Sequence, residues 1–362
     1  MIQKLSLFDF RNYEEKHFEF TEKNVVFYGG NGKGKTNILE AISILSMGKS
    51  WRETSAEDLI RSSSDTYPKD TYPNGNALIQ ATLEDGNLYE VKIAPRSRVF
   101  EKNAKKVSLR QHFGKIPTLL FVPEHLMLFS GTKRNRQRFF DRFLFQISPN
   151  YRENLTKFNR ALKQKNALLK FDPDSAPEPE LTRPWNEILA DTIPPLVKAR
   201  EEFLAELNPL LQKELKGLSR SSDSIEIRLE MAEIPASAGM TKEFVLEFFT
   251  KNAAREQAAG KCLLGPHRDD FAFYYRDKPI LASASRGEER SVMLAMLASQ
   301  KHILKALGGP SPILLLDDVF SELDQSRQDY LENLCNESQI FFTTTHESHF
   351  KNFSHPVQKI AL

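Results

Sequence analysis

The chain has 362 residues, of which 40% are hydrophobic and 27% are charged, and its formal net charge is +2. This length accommodates one large domain with an insertion, or two domains. The sequence has no run of about 20 apolar residues, so we expect no segment that spans a membrane. Because the net charge is small, any basic surface must come from local clusters.

The amino terminus and the cysteines indicate the cellular compartment in which we expect the protein. Residues 1–5 lead directly into a strand-like pattern, so we expect no signal peptide. The two cysteines, Cys262 and Cys335, lie far apart and lack the spacing of metal ligands. A reducing cytoplasm is therefore the simplest location.

A glycine-rich stretch fits the phosphate-loop pattern G-x-x-x-x-G-K-[ST] at every required position. Its residues are Gly29, Gly30, Asn31, Gly32, Lys33, Gly34, Lys35 and Thr36. An apolar run at residues 24–28 predicts a buried strand before it, and an amphipathic helix follows to about Met47. This order presents backbone N–H groups to a phosphate. We expect Lys35 to reach the β- and γ-phosphates of a nucleotide and Thr36 to hold Mg²⁺.

The first 30 residues alternate as strands do, and Arg11 and Asn12 lie between two apolar segments. Both are candidate nucleotide contacts, although Arg11 can equally be a solvated loop charge. Residues 62–76 have the composition of a loop, and residues 77–108 change to antiparallel β signals with turns after Leu83 and Lys102.

A basic cluster follows a predicted buried strand at residues 119–122. Residues 133–142 contain five cations beside aromatic side chains. Such a run is usually a solvated helix face, but near a nucleotide fold it is an equally good site for nucleic-acid phosphates. The DNA-binding candidates of this cluster are Arg134, Arg136, Arg138 and Arg142.

The apolar period becomes helical from about residue 150 to residue 217. A Pro-rich break at residues 172–184 separates two helices that we expect to form an αα-hairpin, with a kink at Pro194 and Pro195. We expect the polar face to carry Arg160, Lys163, Lys165 and Lys170. Arg160 and Lys163 are further DNA-binding candidates, although any single Lys there is more often solvated. Beyond this arm we expect a short strand at 225–229 and a helix at 244–259.

The last third of the chain carries three polar motifs. Residues 265–270 place ionisable side chains after a Gly-Pro turn, where they could position a phosphate or a partner loop. Ser285 opens a helix, and Glu288 three residues later completes a capping box. Together with Gly287, this helix start also presents N–H groups and a positive dipole end to an anion.

The third motif is an apolar strand at residues 313–316 that ends in Asp317 and Asp318. Asp317 fits a Mg²⁺ ligand, and Asp318 is placed to orient or deprotonate a water that attacks the γ-phosphate. A further strand ends at His346, which could face the same phosphate.

These motifs follow the order of ABC-type ATPase heads with an inserted arm. The expected fold is α/β, with a P-loop NTPase sheet, an antiparallel β meander and an inserted α-helical hairpin. We assign residues 1–130 and 262–362 to the head and residues 131–261 to the arm. In that class the Ser-x-Gly helix completes the site of a second head in a head-to-tail dimer, so Ser285 would act in trans.

Eight segments agree with one known family in more detail than the order of motifs does: residues 10–13, 36–42, 121–124, 136–141, 159–166, 265–270, 285–288 and 315–318. Through them the chain resembles, over nearly its whole length, the RecF family of bacterial DNA repair ATPases. The Gly-Pro-His-Arg-Asp-Asp stretch and the Asn-Arg-Ala-Leu-Lys stretch are specific to that family.

The resemblance implies an ATP- and Mg²⁺-dependent homodimer that binds DNA at single-strand gaps and junctions. It also implies weak DNA-stimulated ATP hydrolysis, and work with RecO and RecR in loading RecA during recombinational repair, replication restart and the SOS response. Carried over by position, residues 29–36 bind ATP, Thr36 and Asp317 hold Mg²⁺, Asp318 acts on the water, and Ser285 contacts the γ-phosphate in trans.

Some features depart from the family pattern. Lys33 is unusual at a free position of the loop, the basic residues 134–138 are interrupted where the family tends to have adjacent arginines, and residues 235–241 look like an insertion. His346 fits the switch position of transporters better. The alternatives are an SMC- or Rad50-like head, whose arms would be much longer, and a nucleotide-gated DNA-binding module with negligible hydrolysis.

Overall fold

The computed structural model describes residues 1–52, 54–61, 75–171, 179–218, 223–232, 239–319, 323–334, 336–347, 353 and 355–362. The chain divides into two compact units, Met1–His125 with Met293–Leu362, and Leu126–Val292. Within the described ranges, no helix combines the length and the apolar character needed to cross a bilayer.

The strands in chain order are β1 (Ile2–Phe10), β2 (Tyr13–Glu19), β3 (Asn24–Tyr28), β4 (Ala77–Leu83), β5 (Leu88–Ala94), β6 (Ser97–Lys102), β7 (Lys105–Val107), β8 (Thr118–Phe121), β9 (Ile225–Glu230), β10 (Asp270–Tyr275), β11 (Lys278–Pro279), β12 (Ile313–Asp317), β13 (Ile340–Thr344) and β14 (Val357–Ala361).

The α-helices are α1 (Lys35–Met47), α2 (Leu109–His112), α3 (Met127–Ser130), α4 (Lys133–Ile147), α5 (Pro149–Phe171), α6 (Pro179–Leu218), α7 (Lys242–Lys251), α8 (Ala253–Ala259), α9 (Ile280–Ser283), α10 (Arg286–Ala306) and α11 (Gln325–Leu334). Short 3₁₀ helices lie at Glu57–Leu59 and Pro123–Leu126.

An antiparallel sheet in the order β2-β1-β4-β5-β6-β7 forms one layer of the first unit. The β meander predicted at residues 77–108 is confirmed, and it continues the amino-terminal hairpin because β4 pairs with β1. Gly86 supplies the positive φ that the turn between β4 and β5 requires. In the middle of strands β1, β4 and β5 the inward-facing side chains are apolar and buried, as the period of two predicts.

A parallel sheet in the order β14-β3-β13-β12-β8 forms the second layer of this unit. Helix α1 packs against strands of both sheets, and its apolar face shares one buried cluster with them. Each fully buried Leu or Phe of this core stabilises the fold by roughly 1.5–3 kcal/mol. Because the strands are parallel, the carboxyl ends of β3, β13 and β12 lie at the same edge.

Helices α5 and α6 of the second unit pack against each other, as the predicted αα-hairpin requires. The predicted break at residues 172–184 is wrong at its end, because α6 begins at Pro179 and continues through Pro184 and the Pro194–Pro195 pair. Residues 172–178 lie outside the described chain. Proline at the first helical position loses no hydrogen bond, and the buried stripe of α6 outweighs the bonds lost further along.

A small sheet in the order β11-β10-β9 completes the second unit, and β9 confirms the strand predicted at 225–229. The unit comprises Leu126–Val292, so it is longer at both ends than the arm assigned from the sequence, and on the carboxyl side it includes β10, which pairs with β9 and packs against α4. The helix predicted at 244–259 is divided into α7 and α8 at Asn252. Residues 235–238 of the insertion-like stretch lie outside the described chain.

Arg200 of α6 is the centre of the polar interior of this unit, with 1% of its surface exposed. Its guanidinium donates to the Tyr151 hydroxyl at 3.0 Å, the Pro266 carbonyl at 2.9 Å, Asp141 at 2.7 Å and Asp269 at 3.3 Å. These bonds join α4, α5 and α6 to the Gly-Pro-His-Arg-Asp-Asp segment. Breaking such a buried charge network is costly because it leaves a charge without its partner.

The rest of that segment also makes internal contacts. Gly265 has φ +130°, and a Cβ there would lie 3.0 Å from the Phe158 ring, so both its conformation and its space require glycine. The His267 ring lies 5.7 Å from the Phe158 ring, and its Nε2 is 3.2 Å from the Cys262 carbonyl oxygen. Burial lowers the pKa of His267 to about 4. In this structure the segment therefore makes internal contacts that connect it to helices α5 and α6.

We predict that His267→Gln makes the protein less sensitive to acid. The unfolded imidazole has a pKa near 6.5 and the buried one about 4, so the unfolded chain takes up the proton first and wild-type stability falls between these pH values. A glutamine can donate to the Cys262 carbonyl and does not titrate. Thermal unfolding at pH 7 and pH 4.5 should show a smaller loss in the variant, by on the order of 2 kcal/mol.

The control is His17→Gln, which removes an exposed histidine from β2. Asp269 has a pKa raised to about 6 by burial and contributes the opposite slope, but this slope is present in both proteins and cancels in the comparison. Equal acid sensitivity of wild type and His267→Gln would contradict the assignment.

Candidate functional site

The predicted phosphate loop connects β3 to α1. Gly29, Gly32 and Gly34 have φ values of +144°, +79° and +96°, which side chains rarely adopt. The Lys35 ammonium donates to the Gly29 carbonyl at 2.7 Å and the Gly30 carbonyl at 2.9 Å, so it lies within the curve of the loop. A cation and the amino-terminal end of a helix therefore face the same space, which is an arrangement that suits an anion.

The turn between β1 and β2 supports this loop. The Asn12 amide donates to the Lys33 carbonyl at 3.4 Å and its oxygen accepts from Asn37 of α1 at 2.9 Å. A Cβ on Gly34 would lie 2.6 Å from Asn12 and 2.7 Å from the Tyr13 hydroxyl. The sequence predicts Asn12 as a nucleotide contact. In the structure Asn12 contacts the backbone of the phosphate loop and the first turn of α1.

Arg11 forms a buried ion pair with Glu40 of α1. Its Nε and Nη2 donate to the two carboxylate oxygens of Glu40 at 2.9 and 2.7 Å, in the bidentate geometry that makes such pairs strong. Glu40 is 0% exposed, and Ser50 and Arg52 also lie against its carboxylate. The sequence left open whether Arg11 is a nucleotide contact or a solvated loop charge. In this structure Arg11 is not a solvated charge.

Sequence reasoning missed Glu40. The signal available was an acidic residue on a helix whose neighbours Leu39 and Ala41 are apolar. A carboxylate in such a position needs a cationic partner, because an unpaired buried charge is very costly.

The two predicted Mg²⁺ ligands meet at the edge of the parallel sheet. The Thr36 hydroxyl donates to the Asp317 carboxylate at 2.9 Å, and the Thr343 hydroxyl of β13 donates to it at 2.5 Å. Burial raises the pKa of Asp317, while these two hydrogen bonds and the charge of Arg52 act in the opposite direction. Thr343 was not predicted, although the run of threonines at the end of β13 was the signal for it.

The donor set fits magnesium. A hydroxyl and a carboxylate are hard oxygen ligands, and Mg²⁺ usually takes one or two protein ligands with waters and phosphate oxygens completing its octahedron. Among the described residues, no group of three or more His, Cys, Asp or Glu side chains could hold a metal by itself.

Asp318 and His346 lie just beyond the ends of β12 and β13. Asp318 has φ +45°, which is strained for a residue with a side chain, and its N–H donates to the Thr343 hydroxyl at 3.0 Å. Such strain is concentrated at functional sites. The backbone N–H of His346 donates to Thr344 at 3.4 Å, and the side chain is exposed.

Ser285 and Gly287 lie at the start of α10, in the second unit. The predicted capping box is confirmed, because the Ser285 hydroxyl accepts from the Glu288 N–H at 3.3 Å and the Glu288 carboxylate accepts from the Ser285 N–H at 2.6 Å. Ser285 is exposed. Its role in trans stays a prediction.

The predicted DNA-binding residues divide into two groups. Arg136 forms a bidentate pair with Asp270, at 2.7 Å on each side, and also donates to the Gly131 carbonyl. Arg142 is half-buried, and burial lowers its pKa to about 10. The remaining four are exposed: Arg134, Arg138, Arg160 and Lys163.

The Asn159–Asn166 motif on α5 divides in the same way. Arg160 and Lys163 face outward, whereas Lys165 is 1% exposed and pairs with Glu256 at 2.7 Å. The Asn166 side chain accepts from the Cys262 N–H at 2.7 Å. One face of the motif therefore fixes α8 and the Cys262 segment, and the other presents cations.

We predict that Arg11→Ala lowers the free energy of unfolding by about 3 kcal/mol, because it leaves the buried Glu40 carboxylate without its main partner. Urea denaturation measures the change. The matched control is Arg61→Ala, which removes an arginine paired at 2.6 Å with the half-exposed Glu14 and should cost less than about 1 kcal/mol. Similar losses in the two variants would contradict the special position of the Arg11–Glu40 pair.

Comparisons with known proteins agree with this geometry. The profile of the RecF/RecN/SMC N terminal domain family matches residues 1–361. The DNA replication and repair protein RecF of Carboxydothermus hydrogenoformans is 32% identical over 357 residues, covering 97% of this chain and 96% of that protein. The RecF protein of Streptococcus uberis is 34% identical over 352 residues, covering 96% and 94% of the two chains.

Solved structures give the same relationship. The recombination mediator protein RecF-ATP of the RecFOR pathway superposes with a TM-score of 0.84 at 26% identity, covering 96% of this chain and 92% of that one. An Smc head bound to the C-winged helix domain of ScpA has a TM-score of 0.53 at 14% identity, covering 100% and 94%, and shows the shared head fold alone. The chain therefore belongs to the RecF family, within the group of proteins that share the RecF/RecN/SMC N terminal domain.

Proposed function

We propose that this protein is an ATP-dependent DNA-binding repair ATPase whose homodimer closes when ATP binds and opens after hydrolysis. The observation that carries the proposal is the contact of Thr36 with Asp317 beside the Lys35 loop. It joins a phosphate-binding loop, a cationic side chain and a Mg²⁺-type ligand pair within one unit. Membership of the RecF family supports the reading.

The residues have distinct roles in this proposal. Residues 29–36 wrap the phosphates of ATP with backbone N–H groups. When ATP binds, the Lys35 ammonium leaves the loop carbonyls and contacts the β- and γ-phosphates instead. Thr36 and Asp317 hold Mg²⁺, which when bound neutralises phosphate charge. Arg11 and Asn12 serve the site by fixing the loop and α1.

Hydrolysis needs a base and a completed site. Asp318 orients the attacking water and accepts its proton on a carboxylate oxygen. His346 faces the γ-phosphate from the end of the neighbouring strand. Ser285, with Gly287, binds the γ-phosphate of a second chain in trans, using its hydroxyl and the amino-terminal end of α10.

The cellular role follows from the family. RecF relatives are DNA replication and repair proteins, and the solved RecF structures come from the RecFOR pathway. We infer that this protein binds gapped and single-stranded DNA through its exposed basic residues. In the cytoplasm it would then act with RecO and RecR in loading RecA during repair, replication restart and the SOS response, with weak DNA-stimulated hydrolysis.

We predict that Mg²⁺-ATP converts the wild-type protein from monomer to dimer, and that Lys35→Ala and Ser285→Arg both prevent this. Lys35→Ala removes the cation that faces the phosphates, so it also weakens nucleotide binding. Ser285→Arg keeps nucleotide binding in the monomer but obstructs the second chain. Light scattering with and without Mg²⁺-ATP measures the mass, and equilibrium dialysis with labelled ATP measures binding.

Asp318→Asn is the matched variant that tests closure of the dimer. It keeps the shape of the side chain and removes the carboxylate base, so the closed dimer should accumulate. A wild-type protein that binds ATP and stays monomeric would disprove the trans role of Ser285. A wild type that dimerises but shows no turnover with or without DNA would favour the alternative, a nucleotide-gated binding module.

We predict that Arg160→Ala and Lys163→Ala each weaken binding to gapped DNA and reduce the slope of log K against log[salt] by about 1, as expected for one lost phosphate contact. The control is Lys157→Ala on the same helix, where the lysine is exposed and paired with Glu153 at 2.7 Å. Fluorescence anisotropy at several salt concentrations gives the slopes. Wild-type slopes for both Arg160→Ala and Lys163→Ala would remove these positions of α5 from the DNA-binding surface.

A further inference from the structure

The start of α10 is tied to a second set of residues. One oxygen of Glu288 accepts from the Ser285 N–H at 2.6 Å, as part of the capping box. The other oxygen accepts from Nη2 of Arg276 at 2.6 Å and lies 3.2 Å from the Tyr275 hydroxyl oxygen. Glu288, which completes the capping box, is therefore itself held by a side chain from the turn that follows β10.

Arg276 is in turn fixed by Asp223. Its Nε and Nη2 donate to the two Asp223 oxygens at 2.8 and 3.0 Å, and the Tyr275 hydroxyl donates to the same carboxylate. The Asp223 side chain is only 11% exposed. One planar guanidinium thus bridges two carboxylates in fixed directions, a geometry that lysine cannot reproduce.

The backbone at Arg276 is unfavourable for this residue type. Arg276 and Asp277 have φ values of +51° and +59° in the two-residue turn between β10 and β11. Such turns favour Asn and Gly at both central positions. An arginine here costs turn stability, and its side-chain contacts with Asp223 and Glu288 offset that cost.

We infer that Arg276, Tyr275 and Asp223 are positioning residues for Ser285. They fix the Glu288 carboxylate and, through the capping box, the first turn of α10 and the position of the Ser285 hydroxyl. Ser285 is exposed, so without this network its turn would fray, and ordering it would oppose engagement of a second chain. The inference rests on the proposed action of Ser285 in trans.

The experiment compares Arg276→Gln with Arg276→Lys and with the control Arg228→Gln. Arg228 lies on neighbouring β9, pairs with Glu226 at 2.6 Å, contacts the Tyr274 ring and has the same 48% side-chain exposure as Arg276. Both glutamine variants remove one exposed, ion-paired arginine from the same small sheet. Only the Arg276 variant cuts the connection to Glu288.

Three measurements are made on the full-length protein. Hydrogen exchange of the Glu288 and Glu289 amides should be faster in Arg276→Gln and unchanged in Arg228→Gln. The KM for ATP should stay the same, because residues 29–36 are untouched, while kcat falls about tenfold through loss of a charged hydrogen bond. Arg276→Lys should recover part of kcat, since an ammonium reaches one carboxylate but not both.

The outcomes separate the inference from the proposed function. If Ser285→Ala lowers kcat and Arg276→Gln behaves as Arg228→Gln, the positioning role is wrong and the proposed function stands. If Ser285→Ala has the wild-type kcat, the trans role fails and the inference fails with it. Unchanged exchange at Glu288 and Glu289 in Arg276→Gln overturns the positioning role whatever the kinetics show.

Discussion

The Asp317 carboxylate is the point on which the candidate site depends. It accepts hydrogen bonds from Thr36 at the start of α1 and from Thr343 at the end of β13, so one side chain joins the phosphate loop, a strand next to it and the strand that carries Asp317. The parallel register makes this contact possible, because it aligns Thr343 with Asp317 on one side and with Phe27 on the other. A slip of one residue would turn Asp317 to the opposite face of the sheet and separate it from Thr36.

Buried ion pairs fix the β1–β2 turn on α1 in the first unit and the helices of the second unit. Arg11 with Glu40 connects the β1–β2 turn to α1, and Arg200 with Asp141 and Asp269 connects the helices of the second unit. Such pairs add little net stability over an apolar contact, since both charges lose their hydration, but an alternative packing that separates them is very unfavourable. They therefore favour one arrangement of the loop and one arrangement of the helical unit.

The basic and polar motifs combine structural and exposed residues within a few positions. Arg136 is engaged with Asp270, while Arg134 and Arg138 are exposed, and Lys165 is buried two positions after the exposed Lys163. The Gly265–Asp270 segment, which the sequence suggested as a phosphate or partner site, makes internal contacts with Phe158 and Arg200. A sequence motif that is specific to a family can thus be needed for internal contacts of the fold as much as for ligand binding.

The sequence alone predicted the strands before and after the phosphate loop, the loop itself, the β meander, the helical hairpin and the pairing of Thr36 with Asp317, because these depend on local periodicity and on residue types at fixed spacing. It did not predict β10 and β11. Tertiary structure alone decided which charges are buried. Glu40, Thr343, Arg200 and Arg276 make their contacts with partners that are distant in sequence, and no local pattern encodes such a distance. It also decided that α6 continues through its prolines, since the packing of a buried face outweighs local helix propensity.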